Sequence, residues 1–342
     1  MARGTKRARA LSPKHEPPSS PLSPLSPSPG PTDEKDDIVV SPPVAKKRKQ
    51  FASSQAKKLK QLAEFSGSTP FPHYPGPTPQ DAADVLSVLA QAHPNHASAR
   101  KAPADSATAN SASTCGAVRD VIDALIGTIL SQNTSGRNST AAKRSLDETF
   151  GRHGFKAIAE APREAVVDAI RMGGLANRKA GIIQGMLRAV YAKHGVYSLQ
   201  HLSKLPDTEA MAELCGYDGV GPKTASCVLL FALGRDSFAV DTHVYRLSKV
   251  LRWVPQSADR VRTQLHLDVR IPGHLKYGLH VLMVAHGKAC KGCKGDGNRT
   301  EPCVLKKYMR ERKGVNEDDT AHAVEKAEEV EDSDDTVPHK AL

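Results

Sequence analysis

The chain has 342 residues, with 48 Lys and Arg against 37 Asp and Glu and a formal net charge of +11. No stretch approaches the ~18 apolar residues that cross a bilayer, and the opening Met-Ala-Arg-Gly-Thr-Lys runs into Ser-Pro text without an apolar signal core. A membrane-spanning or secreted protein is therefore not expected. The positive surplus is unevenly placed: residues 1–79 carry 13 basic and 6 acidic side chains, residues 314–342 carry 2 and 10, and the stretch between them holds a surplus of +12. A globular middle so charged attracts polyanions, nucleic acid foremost.

Residues 1–79 are rich in Pro and Ser, with Ser-Pro at Ser12, Ser20, Ser23, Ser26, Ser28 and Ser41, and bury too little apolar surface to offset chain entropy. They are expected to be disordered. Lys46-Lys47-Arg48-Lys49 within them reads as a nuclear import signal, a nonspecific DNA-binding arm or solvated charge; where the domain that follows is DNA-directed, import is favoured and the nucleus is the expected location. A helix opens near Pro79 with Asp81 as its cap, and residues 94–114 are expected to be a flexible insertion in a domain running from 80 to 313. Apolar periodicity then predicts helices at Val121–Leu130, Thr140–Phe150, Arg163–Met172, Arg178–His194, Thr208–Leu214, Lys223–Leu233, Thr242–Leu251 and Leu275–Ala285. No alternating strand pattern interrupts them, so the expected fold is all-α. From Gly314 onward an acidic tract, Glu328 to Asp335 at its centre, is expected to be a second disordered tail.

The most informative text is Leu214-Cys-Gly-Tyr-Asp-Gly-Val-Gly-Pro-Lys-Thr-Ala225. A short helix ends near Gly216, and a second begins at Pro222, where the missing amide hydrogen costs nothing. Between them Gly219, Val220 and Gly221 form a turn whose amides, with the helix N-terminus, can cradle a DNA phosphate. Lys223 lies in the first turn of the second helix, an unfavourable place for a cation. It is either a phosphate contact or an amine nucleophile whose pKa the helix end depresses. Asp241, in Ala239-Val-Asp-Thr-His-Val244, reads alone as an N-cap. The helix from Lys223 spans ~18 Å, and the segment after it can extend ~23 Å back. Asp241 can therefore reach the lysine, with its capped carboxylate suited to stabilising positive charge on a sugar.

These two segments resemble the signature of the endonuclease III family in the HhH-GPD superfamily of DNA glycosylases. Leu125-Ile-Gly-Thr-Ile-Leu-Ser-Gln-Asn-Thr134, Gly174-Leu-Ala-Asn-Arg-Lys-Ala-Gly-Ile-Ile183 and Leu279-His-Val-Leu-Met-Val-Ala-His-Gly287 are similar to family text as well. The resemblance covers about residues 118–290 and implies a two-lobed helical enzyme, monomeric, that bends duplex DNA and flips out a damaged or modified base. It places Lys223 on the catalytic lysine that forms a Schiff base, Asp241 on the catalytic aspartate, and Gln132 on a residue that fills the gap left by the flipped base. By itself Gln132 reads as a turn residue. The implied activity is base excision with strand cleavage, oxidised pyrimidine being the default substrate and mismatched thymine or a methylated base remaining open. An inactive DNA-binding protein and a base-only glycosylase are the alternatives.

The sequence departs from the family at its C-terminal cysteines. Many members hold a 4Fe-4S cluster on four cysteines, whereas this chain has Cys290, Cys293 and Cys303 in a basic, Gly-rich loop. His286 makes the pattern His-x3-Cys-x2-Cys-x9-Cys, a mixture also found in structural zinc sites. Free thiols without metal are the expectation, with a degenerate iron-sulfur site or zinc as alternatives.

Overall fold

The computed structural model describes residues 60, 67–96, 99–100, 102–104, 109–294 and 301–312. The basic run at Lys46, the Ser-Pro sites and the acidic tract lie outside them. The described residues form eleven named α-helices: α1 Pro79–Ala92, α2 Val121–Ser131, α3 Gly136–Phe150, α4 Phe155–Glu160, α5 Arg163–Ala169, α6 Ala176–His194, α7 Asp207–Gly216, α8 Pro222–Cys227, α9 Thr242–Val250, α10 Arg260–Arg270 and α11 Gly273–Ala289. A further helical stretch covers 304–312. Among the described residues the only β pairing is an isolated bridge between Ala104 and Val118.

Two hydrophobic cores define two lobes. In the first, α2 runs through the centre with Val121 to Leu130 buried all round, packed by Leu146, Ile158, Ile183, Leu187 and Leu214 from α3, α4, α6 and α7. A helix buried on every side has little room for polar groups. Asp123, one of the exceptions, is matched by Lys143 at 2.8 Å, with both side chains almost wholly shielded. Lys143 also bonds Asp147, which lies a helical turn further along α3. Breaking this pair from one side would leave a buried charge uncompensated. The second core joins chain ends far apart in sequence: Val85 and Leu89 of α1 meet Val244, Leu247, Leu267, Leu279, Leu282 and the buried Trp253.

Three sequence expectations need correction here. The helix at α1 is capped by Thr78 rather than Asp81. Thr78 Oγ1 accepts from the Asp81 amide at 3.1 Å, and Asp81 Oδ2 accepts from the Thr78 amide at 2.9 Å, a reciprocal capping box. Composition extends the disordered N-terminal tail to residue 79, yet residues 67–78 pack on α10 and the loop before it. The fully buried His266 holds them, with Thr69 Oγ1 at 2.5 Å from Nδ1 and the Gly76 carbonyl at 2.7 Å from Nε2. Phe71 and Tyr74 stand edge-on to its ring. Part of the expected insertion is likewise built into the first lobe. Ser111 is buried against α2, where any side chain at Gly127 would overlap it.

The His266 anchor carries a pH dependence. Because a carbonyl only accepts, Nε2 bears the proton, and burial holds the imidazole below its ordinary value. Released on unfolding, the ring takes up a proton at about pH 6.5. The unfolded chain then binds more protons, so stability is lost as pH falls through about 6.5 toward the folded value. Burial acts in the same direction on His93 and His280. Urea unfolding followed by Trp253 fluorescence should show a lower midpoint at about pH 5.5 than at about pH 7.5, and His266→Gln should narrow that gap. A midpoint that rises on acidification would contradict the assignment.

Candidate active site and metal-ligand cluster

The helix-hairpin-helix text forms the pair α7–α8. Leu214 and Val220 point into the first core, while the chain reverses at Gly219, whose φ is +80°. A Cβ there would meet Ile182 of α6 at 2.6 Å, so both conformation and space select glycine. Gly221 caps α8, and a Cβ at that position would meet nothing within 4 Å, so its outer face is open to a ligand. The side chain of Val220 is core, and its amide donates to the Tyr217 carbonyl at 3.1 Å.

Lys223 lies in the first turn of α8, and α8 gives way to a π turn at Val228–Ala232 where a continuous α-helix is expected from sequence. The π turn redirects the chain, and the Arg235 amide reaches back to the Leu229 carbonyl at 2.8 Å. From there residues 236–240 lead to Asp241, the N-cap of α9. Asp241 Oδ1 accepts from the amides of His243 and Val244, both at 2.8 Å. Capping therefore occupies one carboxylate oxygen and fixes the orientation of the other. Lys223 opens a helix of the first lobe and Asp241 opens one of the second, and each lies within the other's electrostatic reach.

The lysine's surroundings differ from the expectation of a depressed pKa. Lys223 is held above its ordinary value, with Cys227 the largest influence, burial opposing it, and Asp241 and Cys115 acting with Cys227. Burial in turn pushes the Cys227 thiol up, leaving it uncharged at neutral pH. What then favours the ammonium is chiefly the Asp241 carboxylate. His280 of α11 completes the surroundings. Its Nδ1 donates to the Ala239 carbonyl at 2.8 Å, and burial keeps the ring neutral. Gln132, at the C-terminus of α2, donates from Nε2 to Thr224 Oγ1 at 3.3 Å, which sets it against the residue that follows Lys223. The buried Lys179 holds that turn by donating to the carbonyls of Leu130 at 2.7 Å and Gly173 at 2.9 Å.

Sequence reasoning missed Gln264. Buried on α10, its Nε2 donates to the Pro222 carbonyl at 3.2 Å and to Ser226 Oγ at 2.9 Å, while its Oε1 accepts from the Val240 amide at 3.4 Å. Ser226 and Ser237 close the network at 2.6 Å. One amide thus ties the residue before Lys223 to the residue before Asp241. Its loss should cost position more than fold. Gln264→Leu is expected to lower the single-turnover rate of base release about 10- to 100-fold with duplex affinity unchanged and a cooperative melt retained. A loss confined to stability would remove this positioning role.

His286, Cys290, Cys293 and Cys303 also converge, their ligand atoms all within 4.8 Å of one another. They do not suit a 4Fe-4S cluster. Such a cluster takes four thiolates, each on its own iron, whereas this group offers three cysteines whose sulfurs crowd about a single point.

Residues 126–272 match the family model described as HhH-GPD superfamily base excision DNA repair protein. A putative DNA glycosylase of Arabidopsis thaliana is 36% identical over 266 residues, covering 73% of this chain and 90% of that one. Endonuclease III of Sulfolobus acidocaldarius is 30% identical over 196 residues, 57% of this chain and 84% of that one. In fold the chain is similar to the structure described as a non-covalent endonuclease III–DNA complex, with a TM-score of 0.53 at 24% identity over 69% of this chain and 100% of that one. With the hairpin, the two lobes and these likenesses in place, the chain belongs to the HhH-GPD superfamily of base excision DNA repair proteins, as an endonuclease III-like DNA glycosylase.

Proposed function

We propose that the protein removes a damaged or modified base from duplex DNA and then cleaves the strand through a Lys223 Schiff base. The observation that carries this reading is that Lys223 and the amide-capped Asp241, each at the start of a helix of a different lobe, lie within each other's electrostatic reach. Phosphate binding alone requires no such pair. The positive middle of the chain and the hairpin turn, open at Gly221, supply sequence-independent grip on the backbone. Gln132, on a turn held by Lys179, enters the space vacated by the flipped nucleotide.

In the reaction the Lys223 ammonium first gives up its proton, with Asp241, the carboxylate within its electrostatic reach, to receive it. Nζ then attacks C1′ of the flipped nucleotide. The glycosidic bond breaks, its electron pair leaves with the base, and the departing base takes the proton that Asp241 had received. Asp241, anionic again through that transfer, stabilises the positive charge on the sugar. Ring opening gives the Schiff base, and loss of a C2′ proton expels the 3′ phosphate by β-elimination. Cluster chemistry has no part in these steps. One observation favours a second reading, base removal without strand cleavage: Lys223 is held in its protonated form. The basic run at Lys46–Lys49 supports action in the nucleus.

The test is single-turnover reaction of the full chain with a panel of duplexes, each carrying one lesion: an oxidised pyrimidine, a mismatched thymine or a methylated cytosine. Base release and strand scission are followed separately. We expect release with coupled scission on the oxidised pyrimidine. Release without scission would leave the second reading, and neither product on any duplex would overturn the enzyme.

A further inference from the structure

The group at the end of α11 has the donors and spacing of a site for one metal ion. Cys293 Sγ lies 3.4 Å from His286 Nε2, Cys303 Sγ lies 3.6 Å from the same nitrogen, and the two sulfurs are 2.9 Å apart. A tetrahedral zinc, with Zn–S of about 2.3 Å and Zn–N of about 2.0 Å, sets neighbouring ligand atoms roughly 3.4–3.8 Å apart. The nitrogen–sulfur distances already match, and the sulfur pair needs to open by only about 1 Å. His286, Cys293 and Cys303 are buried, Cys290 partly so, which suits a closed structural site rather than one open to substrate.

Two further features point the same way. The second nitrogen of His286, Nδ1, lies 2.9 Å from Nε2 of His93 at the end of α1. An outer partner of this kind fixes the tautomer that leaves Nε2 free to bind a metal. Gly292, between two of the cysteines, is buried against the other arm of the site, where a Cβ would come within 2.5 Å of the Glu301 carbonyl. Only glycine lets the 290–293 turn approach segment 301–303 this closely.

We propose that His286, Cys290, Cys293 and Cys303 bind one structural zinc ion, clamping α11 to the C-terminal segment. Binding releases the protons of the three thiols, and the site then carries a net charge of −1. The clamp seats Leu305, fully buried, in the second core. It also secures the contacts of that segment with α1, where Arg312 pairs with Asp81 and Tyr308 OH lies 3.5 Å from Asp84. The proposal is independent of the lysine chemistry, since none of its ligands belongs to that site.

Metal analysis of the full chain purified without chelator should find about one zinc and no stoichiometric iron or inorganic sulfide. Replacing zinc by Co2+ should give the intense red-region d–d bands of tetrahedral cobalt together with sulfur-to-cobalt charge transfer in the near ultraviolet. Cys303→Ser should lose stoichiometric metal and lower Tm by about 10 °C. Should that variant fail to fold, His286→Cys gives the second reading, retaining one zinc while its cobalt spectrum shifts to that of a four-thiolate site. Chelator should lower the Tm of the wild-type chain, and added zinc should restore it. Four irons with sulfide, a Cys293–Cys303 disulfide, or three free thiols that take up no zinc would each overturn the proposal.

Discussion

Asp241→Asn is expected to lower the rate of base release by ~10² or more while duplex affinity stays within about threefold. The substitution keeps an oxygen for the His243 and Val244 amides, so the cap that starts α9 survives. What disappears is a negative charge within electrostatic reach of Lys223, and with it the group proposed to stabilise the departing sugar and to receive the ammonium proton. On the proposed reading DNA affinity rests elsewhere, on the positive middle of the chain and on the hairpin turn. Single-turnover kinetics and a binding titration on the same duplex separate these effects. Parallel losses of rate and affinity would make Asp241 a structural cap only.

Lys223→Gln should abolish strand scission at an abasic duplex and leave far less base release than the wild type. Glutamine has no basic lone pair to attack C1′, so the covalent route closes entirely. The residual activity is what Asp241 and bound water provide together. Because Asp241 favours the ammonium, scission by the wild-type chain should also accelerate as pH rises above neutrality, as more Lys223 loses its proton. Gel electrophoresis of end-labelled abasic DNA across a pH series measures both effects. Scission by the glutamine variant at the wild-type rate would remove Lys223 from the mechanism.

The parts of this arrangement legible in sequence are those carried by local chemistry. Gly219, Gly221, Pro222 and Lys223 announce a hairpin because turn, helix start and misplaced cation coincide within five residues. Helices α2, α6, α9 and α11 are readable from their apolar spacing. Helix α10 is not, since its buried face is Thr263, Gln264, His266 and Leu267, three polar residues where periodicity looks for apolar ones. Missing α10 means missing Gln264 and the receptor for residues 67–78. The short α4 is hidden by its length, and the π turn by a run of apolar residues, Val228 to Ala232, that reads as ordinary helix. The settings of Cys227 and His280 come only from tertiary packing, and with them the reversal of the expected shift at Lys223.

Covalent joining of Lys223 to C1′ of the target nucleotide is the step on which the proposed chemistry turns. Borohydride reduction during reaction with a lesion or abasic duplex, followed by digestion and mass spectrometry, tests it most directly. A stable DNA–protein adduct is expected on the peptide containing Lys223, absent in Lys223→Gln. An adduct on a different amine, or base release with no adduct at all, would contradict it.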